Sequence, residues 1–208
     1  KEAIERIGPV FFQFYGQAEC PMTISVLRRG DHDPSKPERL ASCGKPVPWV
    51  NVALLDDDGR PVEPGAPGEI CVRGPLVMQG YLNKPEATAE TLDADGFLHT
   101  GDVAVAHEGG YFSIVDRVKE LIKYHGYQIA PAELEALLLG HPKVMDAAVI
   151  GVLDDDKQEI PKAFIVPAPD SGLTEEEVMA FVAENVAPHK KVRRVEFIDA
   201  IPKSSSGK

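Results

Sequence analysis

Residues 116–135 contain the feature that most constrains the fold of this chain, a charged run broken by a glycine and followed by a helix start. The run reads D-R-V-K-E-L-I-K-Y-H-G-Y-Q-I-A-P-A-E-L-E. Gly126 interrupts any helix, because glycine favours a turn or a close backbone approach. Pro131 suits the first turn of a helix, and the leucines after it supply an apolar face. This order predicts either a functional loop between two folded bodies or a solvated hairpin that only connects them.

Composition limits the class of protein. The chain has 208 residues, enough for one or two domains with a real core, and 43% of them are hydrophobic. No apolar run reaches the roughly 18 residues that a membrane span needs. The net charge of −11 disfavours nucleic acid and anionic membranes as partners, since both require a positive face.

Cysteine usage indicates a reducing compartment. Cys20, Cys43 and Cys71 are odd in number, lie far apart and form no C-x-x-C pair. They fit buried thiols and a cytoplasmic location better than a disulfide framework or a zinc site. The sequence begins at Lys1 in mid-pattern rather than at a methionine, so we expect a piece of a longer polypeptide.

The pattern of elements predicts an α+β fold. Residues 10–14 are a strand candidate ending in a turn at Tyr15-Gly16, and residues 40–115 read as short strands separated by turns. That spacing predicts a small barrel- or sandwich-like subdomain, with a surface helix over 83–91 capped by Asn83. From residue 131 onward, helix and strand signals alternate over a small α+β domain that begins with a helix over 131–139. Three prolines within 160–169 indicate edge positions.

Several short patterns carry possible chemistry. Asp102, in F-L-H-T-G-D, is suited to hold the vicinal hydroxyls of a ribose, or alternatively to stabilise its own turn. The basic cluster at 190–194 is either a solvated face or a phosphate contact. The acidic run 56–58 lacks calcium-loop spacing and predicts a hairpin turn. The terminal S-S-S-G-K is not a Walker loop, because the required upstream glycine is replaced by Pro202.

Four motifs occur in one order: Y-G-Q-A-E at 15–19, H-T-G-D at 99–102, the run from D-R at 116 through the glycine, and P-K-S-S-S-G-K at 202–208. Together they resemble the AMP-forming acyl-CoA synthetases, within the adenylate-forming enzymes. The resemblance implies that residues 1–115 end a large domain and that 116–208 form a small mobile domain hinged at Asp116.

The resemblance also implies roles for individual residues. Nucleotide binding involves Tyr15 against adenine, Asp102 on the ribose and Arg117, with magnesium on Glu19. The remaining positions implied for substrates are Gly16, Gln17 and Ala18 in the nucleotide motif, Lys123 and Gln128 at the adenylate, His125 and Gly126 at the coenzyme A tunnel, and Lys208 as the catalytic lysine. Ala18 departs from the threonine usual in that family, whose hydroxyl contacts the α-phosphate; Gln17 is the nearest replacement.

The implied activity is that of an ATP-dependent carboxylic acid–CoA ligase, with ATP or AMP, Mg²⁺ and coenzyme A as its cofactors. The run K-Y-H-G-Y-Q is closest to the 4-coumarate and fatty-acid ligases, so the acid is fatty or aryl. The alternatives are a carrier-protein-loading or luciferase-like enzyme, and a non-catalytic nucleotide-binding remnant. A homodimer is compatible with this reading. The glycine- and threonine-rich phosphate loop of the family does not occur here, so we expect the 208 residues alone to be inactive.

Overall fold

The computed structural model describes residues 2–203, apart from the side chain of Met22. Contacts between Cα atoms divide the chain into two units, the first ending at Val118 and the second beginning at Lys119. Helices and small sheets occur in both, which confirms the predicted α+β class. None of the helices within 2–203 is long and apolar enough to cross a membrane.

The first unit contains two antiparallel sheets. One has strands β1 (Gln13–Gln17), β2 (Cys20–Leu27) and β3 (Lys45–Pro46), in that order. The other is a meander of β4 (Asn51–Leu55), β5 (Pro67–Arg73), β6 (Leu98–His107) and β7 (Tyr111–Arg117). Its helices are α1 (Glu2–Ile7), α2 (Pro37–Leu40) and α3 (Pro85–Thr91).

One apolar cluster lies between these two sheets. Ile24 and Val26 from β2 pack with Ile70 from β5, Leu98 from β6 and Phe112 from β7. Within residues 2–203 no barrel closes, and the two open sheets around a shared core correspond to the sandwich-like alternative rather than the barrel-like one. Alternation of buried and exposed residues along a strand specifies a face but not closure of the sheet.

A glycine allows the closest approach between β2 and the segment before β3. Gly44 has φ of +86°, and a Cβ built there would lie 2.0 Å from the backbone carbon of Val26. No larger residue fits that position without backbone movement. The segment also pairs with β7, because the Cys43 N–H donates to Phe112 O at 2.8 Å.

The second unit begins with a hairpin of β8 (Ile122–Tyr124) and β9 (Tyr127–Ile129), followed by α4 (Pro131–Leu139). A separate sheet has β10 (Val144–Leu153), β11 (Glu159–Pro167) and β12 (Arg194–Phe197), with α5 (Glu175–Asn185) between the last two strands. Its core includes Ile122, Leu134, Leu138, Ile165 and Val182. The helix predicted over 131–139 is confirmed residue for residue.

Several element bounds differ from the sequence expectations. The strand expected over 10–14 begins only at Gln13, and the chain turns at Ala18-Glu19 rather than at Tyr15-Gly16. Asn83 does not cap α3; it has φ of +56° and Lys84 is the N-cap. The reason is Pro85, which suits N1 and therefore moves the helix start beyond the expected cap.

The prolines of β11 do not mark an edge strand, because β11 is the central strand of its sheet. Residues Lys162 to Ile165 are the part paired with β12, and Pro161 and Pro167 flank that part. The missing proline N–H groups therefore fall where β11 has one neighbour instead of two.

Candidate functional site

Asp102 lies at an irregularity of β6. Glu69 of β5 pairs with Val103 and Cys71 pairs with His99, so β6 bulges between these points. Gly101 adopts φ of +72° within the bulge, a conformation that glycine tolerates best. H-T-G-D is therefore a strand bulge rather than a glycine turn, and Asp102 is held in it with 7% of its surface exposed.

Thr100 fixes the backbone of this bulge. Its buried hydroxyl donates to Ile70 O at 2.8 Å and accepts from the Asp102 N–H at 3.1 Å. Glu69 acts from the neighbouring strand, where Oε1 accepts from the Gly101 N–H at 2.9 Å. Both contacts hold the residues immediately around Asp102.

The carboxylate of Asp102 joins two other residues implied by the resemblance. The Tyr15 hydroxyl donates to Asp102 Oδ2 at 2.8 Å, and Arg117 Nε lies 3.1 Å from Oδ1. Asp102 and Arg117 are cross-strand partners of β6 and β7. The structure thus brings together Tyr15, Asp102 and Arg117, which we call the nucleotide trio after the role that the resemblance implies for them.

Burial of Tyr15, together with the adjacent Asp102 carboxylate, raises the pKa of its phenol well above the ordinary value. The hydroxyl consequently stays protonated and remains a donor across the physiological range. The Tyr15 ring packs edge-on against Phe112, with centroids 6.1 Å apart. The hydrogen bond to Asp102 and the contact with Phe112 together restrict the orientation of the Tyr15 ring.

Asp116, the predicted hinge residue, lies inside β7 and is 7% exposed. The strand region predicted over 40–115 therefore continues two residues further, because Asp116 pairs with Val103 and Arg117 with Asp102. Asp116 Oδ1 accepts from the N–H of Arg117 at 2.7 Å. A second irregularity lies beside this pairing: opposite the step from Val103 to Ala104, β7 carries the extra residue Val115.

The Y-G-Q-A-E motif forms the end of β1 and the turn into β2. Gly16 lies at a register shift between Tyr15 and Gln17, and Gln17 pairs with Cys20 across the two-residue turn of Ala18 and Glu19. The Glu19 carboxylate accepts a 2.7 Å hydrogen bond from the Tyr81 hydroxyl at Oε1. That hydrogen bond is the main cause of a raised pKa at Tyr81, so Tyr81 acts as a fixed donor to Glu19.

In the second unit, the predicted loop is the hairpin of β8 and β9. His125 and Gly126 have φ of +48° and +83° and form its two-residue turn, the pattern of a type I′ turn. Lys123 and Gln128 are cross-strand partners, so their side chains share one face of the hairpin. These four predicted positions are therefore brought together within their own unit.

Aromatic and basic side chains surround this hairpin. Tyr127 stacks on His189 with ring centroids 4.2 Å apart, and Arg193 lies 4.4 Å over the ring of Tyr124. Lys190 pairs with Glu133 at 2.7 Å. The basic cluster is therefore more than a solvated face, because Arg193 packs on an aromatic ring and Lys190 forms an ion pair. Lys208, the predicted catalytic lysine, lies outside the described residues.

Sequence reasoning missed three supporting residues: Thr100, Glu69 and Tyr81. Thr100 stands within H-T-G-D, so its place in the motif was the available signal. Glu69 and Tyr81 lie 32 and 62 residues from their partners Gly101 and Glu19, and no local pattern connects them.

Comparison with known proteins identifies the family of this chain. The model of the AMP-binding enzyme family matches residues 1–82, and that of the AMP-binding enzyme C-terminal domain matches 133–208. The chain is 50% identical over 200 residues to 4-coumarate-CoA ligase 2 of Narcissus pseudonarcissus, covering 96% of this chain and 35% of that protein. It is 46% identical to 4-coumarate–CoA ligase 2 of Oryza sativa subsp. japonica with the same coverage.

Solved structures also match nearly the whole of this chain. Amide bond synthetase McbA from Marinactinospora thermotolerans is 38% identical, with a TM-score of 0.82 over 99% of this chain and 41% of that one. The o-succinylbenzoate CoA synthetase MenE from Bacillus subtilis, solved with ATP and a magnesium ion, is 33% identical, with a TM-score of 0.78 over 95% and 39%.

The chain belongs to the adenylate-forming AMP-binding enzymes, the family of the AMP-forming acyl-CoA synthetases. It spans about a third of the length of the curated relatives that it matches.

Proposed function

We propose that this chain is the C-terminal part of an ATP-dependent carboxylic acid–CoA ligase. The observation that carries the proposal is the nucleotide trio, in which Tyr15 and Arg117 meet on the buried carboxylate of Asp102. In the first half-reaction a carboxylate oxygen of the acid attacks the α-phosphorus of ATP, and pyrophosphate leaves. In the second, the thiol of coenzyme A loses its proton, its sulfur attacks the acyl carbonyl, and AMP leaves.

Asp102 is the proposed ribose ligand. An ionised carboxylate has about four acceptor sites, and Tyr15 and Arg117 occupy two of them. The two that remain match the two hydroxyls of a ribose. Thr100 and Glu69 hold the bulge, so the acceptor is oriented before the nucleotide arrives. Arg117 also adds a cation beside the nucleotide.

Glu19 is the proposed ligand of the Mg²⁺ that accompanies ATP. Mg²⁺ is commonly held by one or two carboxylates together with substrate phosphates, so a single glutamate fits this cation. Tyr81 orients the carboxylate through Oε1, and within the described residues Oε2 has no bonded partner. The metal would neutralise phosphate charge during adenylation.

The second unit is proposed to serve both half-reactions by rotating about a hinge near Asp116. Lys123 and Gln128 would contact the adenylate, His125 and Gly126 would border the coenzyme A tunnel, and Lys208 would stabilise the adenylation transition state. The type I′ turn exposes the backbone of His125 and Gly126, with no Cβ on the glycine to obstruct an approaching thiol arm. Ala18 lacks the family's hydroxyl, and Gln17, half-buried beside it, is the proposed substitute.

An aryl acid is the proposed substrate class, because relatives between 44% and 50% identical are named 4-coumarate ligases. The test is pyrophosphate exchange by the complete ligase with 4-coumarate and with a medium-chain fatty acid, each at matched concentrations. Exchange that depends on the aryl acid supports the proposal. Exchange only with the fatty acid assigns the other substrate class, and none with any carboxylic acid overturns ligase activity.

An amine is the second acceptor to consider, because the similar McbA is an amide bond synthetase. Coenzyme A, a carrier protein or an aryl amine, added separately to preformed adenylate, distinguishes these acceptors by the product that forms. The homodimer, the cytoplasmic location and the inactivity of the 208 residues alone stay predictions.

A further inference from the structure

Three metal-ligating side chains outside the nucleotide trio converge on one face of β5 and β6. Glu69 and Cys71 are two residues apart on β5, so they share a face, and His99 of β6 is the cross-strand partner of Cys71. Their potential ligand atoms all lie within 4.8 Å of one another. We propose that Glu69, Cys71 and His99 form a binding site for Zn²⁺ or a similar borderline-soft divalent cation.

Two of the three distances between ligand atoms lie close to those around tetrahedral zinc. The third, from Cys71 Sγ to the Glu69 carboxylate, is within 4.8 Å and must come to about 3.6 Å. Zn–S near 2.3 Å and Zn–N near 2.0–2.1 Å place sulfur and nitrogen about 3.5 Å apart around a tetrahedral ion. Cys71 Sγ and His99 Nδ1 are 3.5 Å apart. His99 Nδ1 and Glu69 Oε2, at 2.8 Å, must open to about 3.3 Å.

The hydrogen bonding of His99 indicates which nitrogen binds the metal. Nδ1 faces both the sulfur of Cys71 and the carboxylate of Glu69, so a cation there takes the place of a proton on Nδ1, and binding also releases the thiol proton of Cys71. Nε2 lies 3.6 Å from Asp93 Oδ2 on the other side of the ring. A carboxylate on the second ring nitrogen is the usual outer partner of a metal-bound histidine, which makes Asp93 a positioning residue.

Ligand chemistry selects the kind of cation. Mg²⁺ and Ca²⁺ prefer all-oxygen sites, whereas a set of sulfur, imidazole nitrogen and one carboxylate oxygen favours zinc. The side chains of Glu69 and His99 are 22% and 31% exposed, which leaves a route from solvent to the buried Cys71. Water would supply the fourth ligand of a tetrahedral ion.

Glu69 connects this cluster to the bulge that carries Asp102. Its Oε2 faces the metal position, while Oε1 accepts from the Gly101 N–H. A bound cation would cross-link β5 and β6 and would hold Glu69 in the conformation that supports the bulge. The site therefore differs from the magnesium position at Glu19 and does not depend on the proposed ligase activity.

The test is Co²⁺ titration of the untagged chain, followed by displacement with Zn²⁺. Binding to Cys71 gives a thiolate-to-Co²⁺ charge-transfer band that saturates at one ion per chain and disappears on adding Zn²⁺. Cys71→Ser abolishes the band, and Asp93→Asn weakens Co²⁺ binding about 10-fold, the scale of an outer partner. Cys20→Ala removes another buried thiol and leaves the band unchanged.

Folding of each variant is checked by circular dichroism. No band from the folded unaltered chain at millimolar Co²⁺ overturns the site, as does a band that survives Cys71→Ser or vanishes in Cys20→Ala. If Cys71→Ser does not fold, His99→Gln and Asp93→Asn decide the question. Unaltered Co²⁺ affinity in both overturns the proposal, and weakened affinity in both supports it.

Discussion

The hydroxyl of Tyr15 donates a 2.8 Å hydrogen bond to Oδ2 of Asp102, joining two motifs that are 87 residues apart in the sequence. This bond makes the aromatic residue of one motif a support for the proposed ribose ligand of the other. We therefore expect the two residues to act on a nucleotide as a pair, with Arg117 on the second oxygen of the carboxylate.

Tyr15→Phe tests that pairing, because it keeps the ring and removes the donor. We expect a loss of about 1.5–3 kcal/mol in the free energy of unfolding, the scale of a hydrogen bond to a charged group. We also expect a weaker affinity of the complete ligase for AMP, measured by calorimetry. Tyr111→Phe is the matched control, since Tyr111 donates to Asp31 Oδ1 at 2.7 Å. Equal AMP affinities in the two variants would refute the role of Tyr15.

Thr100→Val tests the support of the bulge. Valine keeps the shape of the side chain but removes the hydroxyl, which donates to Ile70 O and accepts from the Asp102 N–H. We expect a cost of about 1–3 kcal/mol, the penalty for leaving buried polar groups unsatisfied, measured by urea unfolding. Thr91→Val is the control, because the Thr91 hydroxyl contacts the helical carbonyl of Ala87 and the Tyr81 hydroxyl, neither of which belongs to the bulge. Similar losses in both would mean that the bulge does not need the hydroxyl.

Lys119→Pro tests the proposed rotation. Proline fixes φ at that residue and restricts Val118 before it, where the two units divide. This position is preferable to Asp116, where proline would enter the buried ladder of β7. In rapid-quench measurements on the complete ligase we expect adenylation to survive and thioester formation to fall.

The control for rotation is Asp57→Pro, in the turn where Gly59 N–H donates to Asp56 O. Proline suits the second position of such a turn, so we expect Asp57→Pro to fold normally and to carry out both half-reactions. Thioester formation at the normal rate in Lys119→Pro would show that a free backbone at this boundary is not required.

Lys208→Ala in the complete ligase is expected to slow adenylation by about 10²–10³-fold, the scale of losing one electrostatic stabiliser. Thioester formation from preformed adenylate should change much less. Lys203→Ala, five residues earlier, is the control. Lys203 forms a half-exposed ion pair with Asp146 at 2.8 Å, and such a pair contributes little. Parallel losses in both half-reactions of Lys208→Ala would exclude the assigned role.

The sequence by itself determined the local elements and the family. Pro131 and the leucines after it were enough for the bounds of α4, because helix propensity and an N1 proline are local properties. The four motifs in order were enough for the resemblance, which the family comparisons confirm. The same locality explains why the prediction that Asn83 caps α3 was wrong. Asn83 and Pro85 are both helix-start signals, and the helix begins at Pro85.

Only the tertiary structure decided what the motif residues contact. H-T-G-D is a strand bulge because Glu69 and Thr100 hold its backbone from β5 and from within β6. Likewise, Tyr81 reaches Glu19 across 62 residues, and Cys71 meets His99 only through the register of two strands. Local propensity cannot specify such pairs, because strand register depends on burial of a whole sheet face and on the bulges that interrupt it.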